Sequence, residues 1–464
     1  MQPSAPPMKT RRTAIRMLCS GAVAGGLGVP RLGTAQAART ATASLLAARL
    51  KTGGVGFVAV EVEGKDVFIT PQGERAAGSP LPRDALFEIG SITKTFTALL
   101  LADAVVRKQI SLTGAVEDAM GGLRLRDSAG EPIRWVDLAT HRSGLPRLPS
   151  NIAPAVPEDP YADYGEAKLR EFLVGFRPAV PRNSRYEYSN LGFGLLGHAL
   201  SRAAGKPFAT LLAERVLQPL GLDDTLLALS PKDPPRLVIG HDTARKPVPH
   251  WHFDVLAPCG ALLMSGAALA RYAQAALGVF EHPLRDAFAL CLQEHAEGPG
   301  PANPVGLAWL RAPLNDRTVM NHDGGTFGFS SSLWIDPKRQ RAAAVLANAF
   351  VEVKDLALHL MEPAIPPRDF SLTQQATVAV DAAALGALAG VYALNPQFKI
   401  TVSVRDAQLW AQATGQGAFQ LFAKNPRRFF AKVTPLEIEF QPAEGAAASL
   451  RLFQGGNTLE FKRE

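Results

Sequence analysis

Ser91 and Lys94 stand three residues apart in Ser91-Ile92-Thr93-Lys94, where the apolar lead-in Phe87-Glu88-Ile89-Gly90 gives way to a helical pattern. Phe96, Leu99, Leu100 and Val106 are spaced to bury one side of that helix. Residues three apart on a helix are neighbours, so the Lys94 amine can reach the Ser91 hydroxyl. A serine at the start of a helix also meets the positive end of the helix dipole, which favours a developing alkoxide. Free serine is a poor nucleophile, and an adjacent base or cation is the usual remedy. The pair alone is weak, because a helix-capping serine beside a solvated lysine has the same spelling.

Two more motifs follow. Tyr188-Ser189-Asn190 lies in a polar stretch before a new apolar helical run, and His322-Asp323-Gly324-Gly325-Thr326 precedes a strand-like run ending near Ile335. Singly, each is more often a surface turn with a packed ring. As an ordered set (hydroxyl with amine, then phenol with amide, then imidazole before paired glycines) they are far more specific than their parts.

With those residues in view, the chain resembles the class C β-lactamase and penicillin-binding serine hydrolase family. Phe87 to Lys94 is similar to that family's active-site block, and Leu138-Ala139-Thr140-His141-Arg142-Ser143-Gly144-Leu145-Pro146 to the loop between its first and second motifs. Pro219 to Thr225 is similar to a further landmark, a helix end running into a turn. The likeness spans roughly residues 45–363. It implies an α+β fold, an antiparallel sheet flanked by helices beside an all-helical half, with the site between them. It also implies that Ser91 forms an acyl-enzyme and that Lys94 holds Ser91 and Tyr188 in a proton-sharing network. Tyr188 is then the general base, a role that needs a nearby cation. Asn190 binds the substrate's amide or orients Lys94, and the backbone N–H groups of Ser91 and Gly325 form the oxyanion hole. No metal or cofactor is implied.

The third motif departs from the pattern. Enzymes of this family specialised for β-lactams carry Lys-Thr-Gly or Lys-Ser-Gly there, to receive the substrate carboxylate. Here the positions are His322, Asp323 and Gly324. A histidine is only fractionally charged at neutral pH, and an aspartate facing the cleft repels a carboxylate. Thr326 is the remaining hydroxyl, beside Gly325. The departure moves weight from an efficient penicillin or cephalosporin hydrolase toward a peptidoglycan peptide amidase, an esterase or a slow β-lactamase. A non-catalytic penicillin-binding sensor is the alternative of another class. Two other hydrolytic readings lack their residues. No Gly-x-Ser-x-Gly elbow and no His-Glu-x-x-His occurs, and His250-Trp251-His252 with Asp254 matches no common zinc spacing and reads as a loop with two solvated imidazoles.

The elements that must position these groups are legible in outline. Ala41 to Leu50 reads as an amphipathic helix, and residues 55–61 and 65–70 as a hairpin turning at Glu63-Gly64. Residues 191–204 read as a helix stopped by Gly205, and Ser265 as the cap of a helix reaching Gly278. The hydrolase domain is expected over residues 38–363, a linker over 364–380 and an accessory domain over 381–464. In the last, a short helix (381–389) precedes seven or so alternating strands, a small antiparallel barrel. It resembles the lipocalin-like domain appended to some members of the family, as a cap or substrate-selecting accessory.

Of 464 residues 47% are hydrophobic, an ordinary enzyme composition. The net charge is +7, but residues 1–37 hold five basic residues and no acid, leaving +2 for the rest. That is too little, and too scattered, to argue for nucleic acid or an anionic membrane, and no nucleic-acid partner is expected. Those first residues read as an export signal: Arg11-Arg12, a weakly apolar core over residues 14–29, and a small-x-small cleavage site at Ala35-Gln36-Ala37. A periplasmic or secreted enzyme is expected, exported by the twin-arginine route or, as the alternative that Arg16 in the core leaves open, by the general secretory route, with no integral membrane segment after cleavage. Its partner is a small-molecule or peptidoglycan-peptide substrate; the oligomeric state stays open. Cys259 and Cys291 read as packed free thiols, although an exported compartment permits a disulfide.

Overall fold

Strand after strand of aliphatic residues, rather than strict alternation, builds the central sheet. The computed structural model describes residues 30–464 except 77, 229–235, 301–302, 369–376, 397, 415, 435 and 455–456. Nine antiparallel strands lie in the order Ser79–Pro80, Asp66–Ala76, Gly56–Glu63, Arg341–Ala347, Ser330–Asp336, Arg317–Gly325, Leu310–Leu314, Asn303–Val305 and Ala296–Gly300. Both faces are covered, which is why Gly56–Glu63 is apolar on both sides. Val58, Val60 and Val62 join the main core with the helical half, while Phe57 and Ala59 join a second core with the helices Pro30–Thr52 and Lys354–Met361.

The helix Thr93–Val106 sits in the main core and is buried from Thr93 to Ala104. The expected one-sided helix is therefore corrected: Phe96, Leu99 and Leu100 are buried, but so are their neighbours, and Val106 is 43% exposed. Phe96 stacks on Tyr272 at 3.9 Å, and the Tyr272 hydroxyl donates to Thr95 Oγ1 at 2.9 Å. A helix enclosed on every side is a rigid mount for what lies at its first turn. The expected hairpin is present, with Gly56–Glu63 paired to a second strand that runs on to Ala76. The first helix is longer than Ala41–Leu50 and begins at Pro30, so the expected cleavage site lies inside it. Most of the expected signal segment, residues 1–29, lies outside the described residues. No described helix is long and apolar enough to cross a membrane.

The C-terminal part is a closed barrel of eight antiparallel strands from Gly390 to Arg463, preceded by the helix Ala382–Gly386 with Asp381 as its cap. Seven of the strands follow the expected runs. The eighth, Gly390–Asn395, has no clean alternation and only its tyrosine fully buried; it exists because it pairs with both Phe398–Arg405 and Asn457–Arg463. Closure, which removes the sheet's edges, makes a strand of a segment with little strand character. The barrel rests on the first domain through Lys246–Asp406 at 3.2 Å, the Gln420 N–H donating to Thr243 Oγ1 at 3.3 Å, and Gly417 against Phe327 and Phe350.

Candidate active site

The strand Leu86–Glu88 pairs with Leu263–Ser265 and delivers the chain into a tight 3-10 turn, Gly90–Ile92, that continues as the helix Thr93–Val106. Ser91 thus lies just ahead of the α-helix proper. Gly90 has φ +49°, and a Cβ there would fall 2.6 Å from the Gly325 amide nitrogen. Glycine is required on both counts. At Gly324 a Cβ would meet the Ile89 carbonyl at 2.0 Å. Backbone-to-backbone contact at these two glycines brings the third motif against the serine turn.

Lys94 has no exposed surface. Its Nζ donates to Ser91 Oγ at 2.9 Å, to Asn190 Oδ1 at 2.9 Å and to the Cys259 carbonyl at 2.7 Å. An ammonium has three donors, and all three are used on uncharged oxygens. Lys94 therefore presents a fixed positive charge rather than a free lone pair, and the proton on Ser91 needs another acceptor.

Tyr188 lies beside this pair. Its ring centre lies 4.9 Å from Lys94 Nζ and 5.1 Å from the guanidinium carbon of Arg147, so two cations face one phenol ring. His141 fixes the segment: its ring lies 4.4 Å from that of Tyr188, its Nδ1 accepts from the Ser189 N–H at 3.0 Å, and its carbonyl accepts from the Glu187 N–H at 2.8 Å. Accepting at Nδ1 leaves the proton on Nε2. Burial first, then the Lys94 charge, holds His141 well below its usual range, so it is neutral. Ser189 caps the helix Asn190–Ala204 by accepting from the Gly192 N–H, and its own hydroxyl donates to the Pro146 carbonyl. Asn190, first in that helix, donates through Nδ2 to the Tyr161 hydroxyl at 2.8 Å. That bond fixes its amide with the oxygen toward Lys94. Of the two roles considered for Asn190, orienting Lys94 is the one with a contact.

The sheet register explains the third motif. Leu310–Leu314 pairs with the motif strand only as far as Asn321, so His322 to Gly325 have one edge free toward the cleft. The other edge pairs with Ser330–Asp336. Across the turn, the Thr326 N–H donates to the Phe329 carbonyl at 3.0 Å. Antiparallel pairs alternate between bonded and outward-facing residues, so Gly325 directs its N–H outward, beside Ser91.

Successive side chains on this strand take opposite faces. His322 is on the catalytic face, 6.3 Å from Tyr188 between ring centres, and its Nδ1–H donates to the Asp323 carbonyl at 2.7 Å. Burial, then the Lys94 charge, lowers His322 to about 4. It is a neutral imidazole with Nε2 as acceptor, rather than a fractional cation. Asp323 takes the other face: Lys354 pairs with it at 3.0 Å and the Ser332 hydroxyl donates to it at 2.6 Å. The expected repulsion of a carboxylate by Asp323 is thereby corrected, because that charge is matched behind the sheet. Thr326 is 2% exposed, with a hydroxyl shut off from solvent and no partner among the described residues. It is not a hydroxyl at the cleft surface.

Sequence reasoning missed Tyr161, the Cys259 carbonyl, Arg147 and the role of His141. A carbonyl carries no sequence signal, and the others act through contacts dozens of residues away. Tyr161 stacks on Phe253 at 5.0 Å and meets Trp251 edge-on at 5.1 Å, and Trp251 in turn meets Phe327 at 5.2 Å. The two imidazoles of the His250–His252 loop each have a carboxylate partner rather than water alone: His250 bonds Glu88 at 2.8 Å and His252 bonds Asp159 at 2.7 Å. Cys259 and Cys291 are free, buried thiols, both raised by burial.

This fold and cluster define a serine acyl hydrolase. The chain belongs to the Beta-lactamase family, whose model matches residues 42–362, and residues 374–463 match a second model, Domain of unknown function (DUF3471). It is 28% identical over 320 residues to the D-alanyl-D-alanine-carboxypeptidase/endopeptidase AmpH of Escherichia coli (strain K12), covering 64% of this chain and 80% of that one. Penicillin-binding protein 4* of Bacillus subtilis (strain 168) is 24% identical over 416 residues, 83% of this chain and 89% of that one. The D-alanine carboxypeptidase AmpC from Burkholderia cenocepacia shares the fold with a TM-score of 0.62 at 22% identity, over 71% of this chain and 99% of that one.

Proposed function

We propose that Ser91 is the nucleophile, Lys94 its fixed cation and Tyr188 the general base of an enzyme that hydrolyses D-alanyl peptide amides or β-lactams. The observation that carries this reading is the Lys94 ammonium, which donates at once to Ser91 and Asn190 while facing the Tyr188 ring. Ser91 Oγ attacks the carbonyl carbon and its proton passes to the oxygen of Tyr188 in its phenolate form, which the facing Lys94 and Arg147 cations favour. The Ser91 and Gly325 N–H groups receive the oxyanion. Collapse expels the amine, which takes the proton from Tyr188. A water then attacks the acyl ester, with Tyr188 again as base, releasing the acid and restoring Ser91.

A carboxylic ester is the second reading, and a specific observation favours it. His322 is neutral and Lys354 is engaged with Asp323 behind the sheet, so the third motif supplies no cation for a substrate carboxylate. The deciding experiment is one turnover panel: nitrocefin, a peptide ending in D-Ala-D-Ala, and short p-nitrophenyl esters. Multiple turnovers of any of them support the enzyme; a single stoichiometric burst on all three leaves a penicillin-binding sensor instead. His322→Lys is expected to shift preference toward carboxylate-bearing β-lactams over neutral esters by roughly tenfold, the effect of one added charge-assisted hydrogen bond. An unchanged kcat/KM ratio would show that the 322 side chain does not meet that carboxylate. Export to the periplasm by the twin-arginine route belongs to the same reading, and so do the boundaries at 37, 363 and 380. N-terminal sequencing of the periplasmic protein, expected to start at Ala38, checks the first.

The buried imidazoles also set a pH dependence. His322 and His141 titrate below the unfolded value near ~6.5, so the unfolded chain binds more protons in that window. Their contribution to stability is complete above that value; that of His322 is lost as pH falls toward about 4, and that of His141 is likewise lost on the acid side. The Tm is expected to drop between pH 7 and pH 5, and less so in His322→Gln; equal slopes in both proteins would contradict this.

A further inference from the structure

The two ends of the C-terminal barrel are packed differently. Along Leu436–Gln441 every second side chain points inward: Leu436, Ile438 and Phe440. At the Phe440 end the lumen is filled by rings, with Phe440 lying 5.8 Å from both Tyr392 and Phe429. At the Leu436 end Phe398 and Phe419 leave the lumen unfilled, and a cavity of about 280 Å³ remains. Ile400, Phe419, Leu436, Ile438 and Leu452 form its wall. Its floor is not part of the barrel. The segment Phe350 to Lys354, with Asp323 and Gly324 of the third-motif strand, closes it from the hydrolase domain.

An eight-stranded barrel either fills its interior with side chains or holds one small ligand. This cavity is partly open to solvent, and its apolar wall atoms lack protein contacts on one side, contacts that an apolar ligand would restore. The charges at the floor identify what fits. Asp323 is matched by Lys354 at 3.0 Å and Glu352 by Arg368 at 3.7 Å, so no unmatched charge calls for an ion. Gln416, Thr434 and Gln454 add neutral polar groups to the lining. Apolar walls with a few polar groups at one pole suit an uncharged molecule with one hydrogen-bonding head.

We propose that this cavity is a second binding site, separate from the Ser91 cleft, for an uncharged amphiphile: an aliphatic chain or aromatic ring carrying a single hydroxyl, amine or amide. The chain or ring lies among the barrel's inward side chains and the head meets the Asp323–Lys354 floor. That floor is the back of the strand whose front carries His322, so the ligand and the substrate sit on opposite faces of one strand.

The test is a fluorescence titration of the full-length protein with N-phenyl-1-naphthylamine, an uncharged aromatic amine, with 1-octanol as competitor. A saturable one-to-one enhancement reversed by 1-octanol is expected. Ile438→Trp and the milder Leu452→Phe fill the lumen, and each should weaken binding roughly tenfold or more while ester hydrolysis at Ser91 shows the fold intact. Acylating Ser91 beforehand should leave the titration unchanged. Absence of saturable binding in the unaltered protein overturns the proposal, as does undiminished binding by a correctly folded, filled variant. Binding abolished by acylation places the probe in the cleft and overturns it as well.

Discussion

Ser91→Ala is expected to abolish covalent labelling by a fluorescent penicillin and to lower ester turnover by several orders of magnitude. On the proposed mechanism the substitution removes the atom that forms the acyl bond. In the folded protein the hydroxyl's hydrogen bond is the one it accepts from Lys94 at 2.9 Å. Lys94 keeps Asn190 and the Cys259 carbonyl as partners, so the buried cation stays held. The expected cost in stability is that of one hydrogen bond, about 1 kcal/mol. Activity and stability should therefore separate: labelling gone, Tm nearly unchanged. Persistent labelling of the alanine variant would remove Ser91 as nucleophile.

Tyr188→Phe is expected to cost about 10²–10⁴ in kcat/KM, the range for removing a positioned general base. The ring contacts with His141 and the facing cations survive in phenylalanine, so the variant tests the oxygen alone. Lys94 has all three donors engaged, which leaves it no lone pair with which to replace that oxygen. The pH profile discriminates further. If Tyr188 is the base, the variant loses the limb of the kcat/KM profile that reports the base; a purely structural role would lower the profile without changing its shape. Turnover within a few-fold of the parent would take the phenol out of the mechanism.

Much of the site was readable before any coordinates, for an identifiable reason. Ser91 and Lys94 are joined by the pitch of a single helix, and that contact depends only on local spacing. Asn190 was readable from its place in Tyr188-Ser189-Asn190, just ahead of an apolar helical run. His322 and Asp323 were readable as residue types but not as charges. The charge of His322 depends on burial beside Lys94, and the setting of Asp323 on a partner, Lys354, that arrives from beyond two further strands. The eighth barrel strand was hidden similarly, since closing the barrel supplies its partners.

Sequence by itself determined the family, the pairing of Ser91 with the Lys94 amine, the order of the motifs and the presence of a β-rich tail, because each is written in short-range spacing and residue type. Tertiary structure alone decided which way Asp323 points, that Gly325 packs against Gly90 with its N–H turned away from the neighbouring strand, and that Tyr161 and the Cys259 carbonyl steady the site. It also decided that the barrel keeps a void at one end. These are matters of register, facing and enclosure, set when distant segments pack together, and no window of neighbouring residues contains them.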